Sequence, residues 1–143
     1  MTRFQNGHVF AFCARCGPPD HRALPYIATQ IMGPGGTSEP VIGKVDTGAF
    51  RTMLNYDTAE SLGISNPKER AIETDTAHTA SGEPIEYHVH NVFVEIVGEE
   101  GIPFSFPLKA AFAEKVEHNL FGVDWLRHVC LAVDEEAVHF MKD

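Results

Sequence analysis

The residues best equipped for chemistry stand together in the run KVDTGAFRTML, positions 44 to 54. Apolar Val45 leads straight into an acid, Asp46, and Thr47, Gly48 and Ala49 follow before the chain turns apolar again at Met53 and Leu54. Glycine at the third position lets the backbone take φ > 0 or approach another strand closely. The threonine hydroxyl can bond a neighbouring backbone group. The carboxylate then sits at the tip of a stiff loop. There it can exchange a proton with whatever meets it, or merely cap its own turn, as aspartates often do. By itself the tripeptide does not decide between these uses.

Other reactive side chains have plainer readings. Cys13 and Cys16 form C-A-R-C, flanked by His8 and His21. Thiolate and imidazole suit a tetrahedral zinc site. No second CxxC follows, and the histidine spacing fits no finger pattern, so an ordinary pair of reduced cysteines is the expectation and no metal is assigned. His88 and His90 lie two apart and share one strand face. They are expected as surface residues of a hairpin rather than as a metal pair. Trp125 and Phe121 read as core. Asp124 fits a helix N-terminus, or a salt bridge to Arg51 or Arg127.

The elements that must position these residues are mostly strands. PYIATQIM (25–32) is a run of β-formers ending in the Gly/Pro loop GPGGTSEP, and VIGKVDT (41–47) is the next strand, with RTML (51–54) a short one beyond the turn. NYDTAESLGI suggests one short helix, with Asp57 as cap, Glu60 three residues later as in a capping box, and Gly63 as its end. Residues 69–79 and 84–97 form two extended runs around TASGEP, a hairpin with a Ser81-Gly82 tip. Further strands are expected over 102–113, at Leu120–Phe121 before one short helical turn, and in a closing hairpin around Asp134-Glu135. The whole suggests an all-β, barrel-like domain over 23–143, with residues 1–22 an added strand or arm.

Size and charge set the outer bounds. A chain of 143 residues suits a single domain, and 43% hydrophobic with 22% charged content is ordinary for a globular protein. A formal net charge of −9 argues against nucleic acid as a partner, since phosphate binding needs a basic face. No apolar run nears the ~20 residues a membrane span needs. Three cysteines, an odd number, fit a reducing compartment, so a cytoplasmic protein with no membrane partner is expected.

VDTGAFRTML resembles the active-site segment of the retropepsins, the retroviral-type aspartic proteases: an apolar strand, D-T-G-A, two variable residues, the hydroxyl of Thr52, and Leu54. A second family signature, two hydrophobic residues and a glycine ahead of a short helix, is matched by Leu120-Phe121-Gly122. The stretch from Leu120 to Phe140 is also similar to the retropepsin domain of the ubiquitin-shuttle proteins, where G-x-D-x-L-R stands at this place. A polar-tipped hairpin lies between the two motifs, where the family has its flap. The resemblance spans residues 25 to 141.

That resemblance implies an acid-protease barrel with one lobe per chain, one or two short helices, and a symmetric homodimer, because the chain holds a single D-T-G. It implies an aspartic endopeptidase acting on a peptide or protein substrate without a cofactor. Asp46 would form a dyad with its symmetry mate, Thr47 would lock the two loops across the dimer, and Gly48 would lie near the substrate backbone. Ala49, Phe50, Arg51, Leu120 and Phe121 would line the substrate cleft, and Ala80, Ser81, Gly82 and Glu83 would form the closing flap tip. Two departures bear on substrate. Viral relatives carry acids where Phe50 and Arg51 stand, and an arginine where Val123 stands. An apolar contact between Phe50 and Val123 is therefore expected in place of an ion pair, and viral peptide preference does not carry over. The alternative is a non-catalytic binding or dimerisation module on the same fold.

Overall fold

The structure is a computed structural model that describes residues 8–16, 24–98 and 100–142. It contains ten strands: β1 (His8–Ala14), β2 (Tyr26–Met32), β3 (Ser38–Val45), β4 (Met53–Leu54), β5 (Glu73–His78), β6 (Pro84–Val97), β7 (Pro103–Phe112), β8 (Leu120–Phe121), β9 (Cys130–Val133) and β10 (Ala137–Lys142). A short helix, α1 (Tyr56–Ser61), follows β4, and a short 3-10 turn (Val123–Arg127) follows β8. The expected all-β architecture with one or two short helices is thus what the chain forms.

Seven strands make one sheet in the order β2-β3-β8-β4-β7-β6-β5, and β6 pairs with β2 as well, at Gln30↔Glu95 through Met32↔Phe93. That extra pairing bends the sheet into a barrel and removes the edge of β2. The long strand β6 shows why. From Asn91 to Val97 it alternates outward and inward residues, with Val92, Val94 and Ile96 buried and Phe93, Glu95 and Val97 exposed, the period of a strand with one wet face. The inward row meets Ile27, Ile31, Phe106 and Leu108 in the main core. Each fully buried aliphatic or aromatic side chain of this kind contributes about 2 kcal/mol.

Part of the stretch expected as an added strand or arm forms a strand packed on this body. β1 pairs antiparallel with β10, which pairs with β9, in a second, three-stranded sheet. Ala11 is buried in the main core and Phe10 meets Phe104 edge-on at 5.4 Å. Two local expectations need correction. The cap of α1 is Asn55, not Asp57: its side-chain oxygen accepts from the Thr58 amide at 2.9 Å, so the residue three positions on is Thr58 and Glu60 is not part of a capping box. Asn55 wins because its backbone is already extended at ψ 171°, the geometry an N-cap needs. The helix stops at Leu62 and Gly63 as expected.

The second correction concerns the histidines. His88 and His90 are buried, at 4% and 6% exposure, not on the surface. They share a face, but that face turns toward the core beside Phe112, and the loop after α1 covers it. His90 Nε2 lies 2.7 Å from the Pro67 carbonyl, and His88 is held by the Thr74 hydroxyl at 3.0 Å and Glu86 at 3.1 Å.

Candidate active site

Asp46 owes its position to the way β3 and β4 clasp β8. β3 runs parallel to β8 at Lys44↔Leu120 and Val45↔Phe121, while β4 lies on the other side of β8, antiparallel at Met53↔Leu120. The chain between β3 and β4 must therefore turn around the end of β8, and residues 46–52 are that turn. The Asp46 amide continues the ladder by donating to the Phe121 carbonyl at 2.9 Å. The next residues leave the strand: Ala49 donates back to the Asp46 carbonyl at 3.1 Å, and the Gly48 amide donates to Asp46 Oδ1 at 2.8 Å. One carboxylate oxygen is thereby aimed by the backbone. The other, Oδ2, lies 3.8 Å from the Lys44 ammonium.

The turn is locked from behind by a polar network. The Thr52 amide and hydroxyl both donate to Asp124, at 2.9 Å to Oδ2 and 2.8 Å to Oδ1. Gly122 donates to the Thr52 hydroxyl at 3.3 Å, and Val123 donates to the Ala49 carbonyl at 2.9 Å. Gly122 is obligatory here for close approach: a Cβ would stand 2.7 Å from the Ala49 oxygen and 2.7 Å from the Arg51 carbonyl carbon. Below this layer Trp125 is wholly buried and stacks on Phe121 at 4.6 Å. A second brace is Asn119, which is also buried. Its Oδ1 accepts from the Asn55 amide at 2.8 Å and its Nδ2 donates to the Ile42 carbonyl at 2.9 Å, tying α1, β3 and β8 together.

The residues singled out in the sequence fall into three places. Asp46, Thr47, Gly48, Ala49, Phe50 and Arg51 share the turn, with Thr47 and Gly48 exposed and Asp46 and Ala49 half-buried. Leu120 is alongside, half-buried against Met53 and Val89. Phe121 is not a lining residue: it is 1% exposed and faces the core, because alternation on β8 turns it away from Leu120. Ala80, Ser81, Gly82 and Glu83 form the exposed tip joining β5 to β6, closed by Thr79 N–H to the Glu83 carbonyl at 2.9 Å, with Gly82 at φ 85°. The root of that hairpin touches the turn, since the Arg51 guanidinium lies 5.6 Å from the Tyr87 ring and 3.7 Å from a Glu73 carboxylate oxygen.

The apolar contact expected between Phe50 and Val123 is not how this loop is held. Phe50 is 59% exposed, with the Arg51 guanidinium 5.7 Å from its ring, and the tie is made by backbone bonds and by Thr52 with Asp124. Neither salt bridge considered for Asp124 is its role. Both of its oxygens accept from Thr52, a use that spacing alone could not reveal because 72 residues separate the two. Lys44 was legible in principle, since it stands two before Asp46 on one strand face.

Neither Cys13 nor Cys16 is an activated thiol, since burial pushes both up. Burial, and then the neighbouring Cys16, pushes the Cys13 thiol up, away from the thiolate that metal binding requires. Among the described residues, no three of the His, Cys, Asp and Glu side chains gather as metal ligands. The side chain of His8 and all of His21 lie outside the described residues.

Known proteins agree with this geometry. A family model described as aspartyl protease matches residues 30–125, which include both motifs and the hairpin between them. Among solved structures the chain is similar to a retropepsin-like aspartic protease from Rickettsia conorii, with 19% identity, a TM-score of 0.57, and coverage of 95% of this chain and 93% of that one. No curated protein sequence matches it. At that identity the structural likeness speaks for the fold, whereas the family model spans well over half of the chain. The turn that presents Asp46, the clasp around β8 and the sequence match agree: the chain belongs to the aspartyl protease family and has the retropepsin-like fold.

Proposed function

We propose that the protein is an aspartic endopeptidase whose dyad is Asp46 from two copies of the chain. The observation that carries this reading is a lone D-T-G turn whose carboxylate has one oxygen aimed by Gly48 while Thr47 and Gly48 lie at the exposed rim. A second chain meeting the first across a two-fold axis brings the second carboxylate. Two carboxylates in contact cannot both ionise readily, so they share one proton. The ionised member takes a proton from a water, the water attacks the peptide carbonyl, and the protonated member donates to the developing oxyanion. Lys44 offsets the net charge of the pair. Thr47 joins the two turns, and the Ala80–Glu83 tip closes over the peptide and excludes water.

The test is digestion of a proteome-derived peptide library by wild type and by Asp46→Asn, read by mass spectrometry. Wild type is expected to cut internal bonds and the variant to cut none. The pH–rate profile is expected to be bell-shaped and highest below neutrality, with both limbs belonging to the pair, and pepstatin is expected to inhibit. A folded, dimeric wild type that cuts nothing would leave a binding module as the reading. A rate still rising above neutrality, or inhibition by a chelator but not by pepstatin, would contradict the dyad.

A further inference from the structure

Beside the active turn lies a cavity of about 430 Å³ between the end of that turn, β7 and the 3-10 turn. Its walls carry Arg51, Lys109, Arg127 and His128, together with Phe50 and Asp124. The one acid in the wall is occupied, because both Asp124 oxygens already accept from Thr52. Two of the cations are not. Among the described residues no carboxylate lies within ion-pairing distance of Lys109 or Arg127. Arg51 is paired at one corner, its Nη1 sealed from solvent 3.7 Å from a Glu73 carboxylate oxygen, which leaves the rest of the guanidinium for the cavity. On a chain of net charge −9, a cavity with three cations and one engaged acid is the reverse of the average surface, and concave walls concentrate such a field.

We infer that this cavity is an anion-recognition subsite that takes a carboxylate side chain, Asp or Glu, of the peptide being cleaved. The inference rests on the proteolytic reading for its placement, since Phe50 and Arg51 end the same turn that presents Asp46. Arg51 and Arg127 supply guanidinium N–H groups that a carboxylate accepts from, and Lys109, exposed like Arg127, adds charge at the mouth. His128 is held flat against Phe106, its ring centroid 4.8 Å away, and forms the rear wall. A phosphate group would meet the same donors, and a carboxylate is preferred because Asp and Glu occur in any protein substrate whereas phosphate requires a prior modification.

The test uses two arms. In the first, the cut sites of the wild-type library digest are aligned and Asp and Glu are expected to be enriched at a fixed position flanking the cut. In the second, the Asp46→Asn protein is titrated with two fluorescent peptides, three repeats of Ala-Val-Leu-Glu and three repeats of Ala-Val-Leu-Gln. The Glu peptide is expected to bind about tenfold more tightly at low salt, with the advantage shrinking as salt rises. Adding Lys109→Glu and Arg127→Glu, both surface changes whose folding circular dichroism checks, is expected to abolish the advantage. Equal affinity for the two peptides, or an advantage that survives the charge reversal, overturns the subsite. A retained, charge-reversible advantage in a protein that cleaves nothing supports it while defeating the proteolytic reading. A phosphoserine peptide that outbinds the Glu peptide by tenfold or more overturns the carboxylate assignment.

Discussion

Asp46 stands on a turn that hydrogen bonds hold from both sides. Its turn is fixed by Gly48, by Ala49 and, from behind, by the hydrogen bonds of Thr52 to Asp124. Thr52 is wholly buried, so its hydroxyl has no water to fall back on. Replacing it with valine keeps the shape but leaves an Asp124 oxygen and the Gly122 amide without that partner. Thr52→Val is expected to cost about 1–3 kcal/mol of stability, the penalty for buried unpaired polar groups. Its urea midpoint should fall with an unchanged slope, and an unchanged midpoint would mean the network is not structural. At this scale Asp46, Thr47 and Gly48 could be picked out from the chain because residue type and order carry the signal. Asp124 and Asn119 could not, because their partners lie far off in sequence and an acid or amide offers several equally plausible local uses.

Elements differ in how firmly they are held, and the hairpin of β5 and β6 is divided along its length. Its root is anchored by buried Tyr87, Val89, His88 and His90, whereas residues from Ala80 to Glu86 are mostly exposed and the tip is closed by short-range bonds around Thr79. Amide exchange at Ser81 and Gly82 is expected to be much faster than in β3 at Val41 to Val45, and a bound peptidic inhibitor is expected to slow it. Equal protection with and without inhibitor would remove the lid role. The β9–β10 turn carries a pH response of its own. Asp134 is held down to about 2, first by the His139 ring and then by the Glu136 and Ala137 amides. A carboxyl held below its ordinary value of about 4 stabilises the fold above that value. The gain is lost as pH falls through the folded value, so the Glu136 and Ala137 amide shifts should titrate together with a midpoint near 2. A midpoint near 4 would show that the bonds are absent in solution. Strand alternation and turn residues made most elements legible, including the whole of β6. Burial of His88 and His90 was not, because it depends on the loop after α1 folding back over a strand whose local pattern reads as polar.

The molecule as a whole has a retropepsin-like body and a single D-T-G. The barrel closed by β6 against β2, the clasp around β8 and the core under Trp125 all lie within one chain, so folding of that body needs no partner residue to complete its main core. On the proposed reading catalysis is different, because proton sharing needs two carboxylates and the chain has one D-T-G. Asp46→Asn keeps the side-chain size and the oxygen that accepts from Gly48, so the variant should fold and associate as wild type does. When wild type and Asp46→Asn chains are mixed in equal amounts at fixed total protein, random pairing leaves about a quarter of dimers with two acids. The measurement is peptidase activity after subunit exchange has been verified with a mass tag. Activity falling to about a quarter is the predicted result; activity falling only to about half would mean that each chain works alone and would contradict a dyad built from two Asp46 residues.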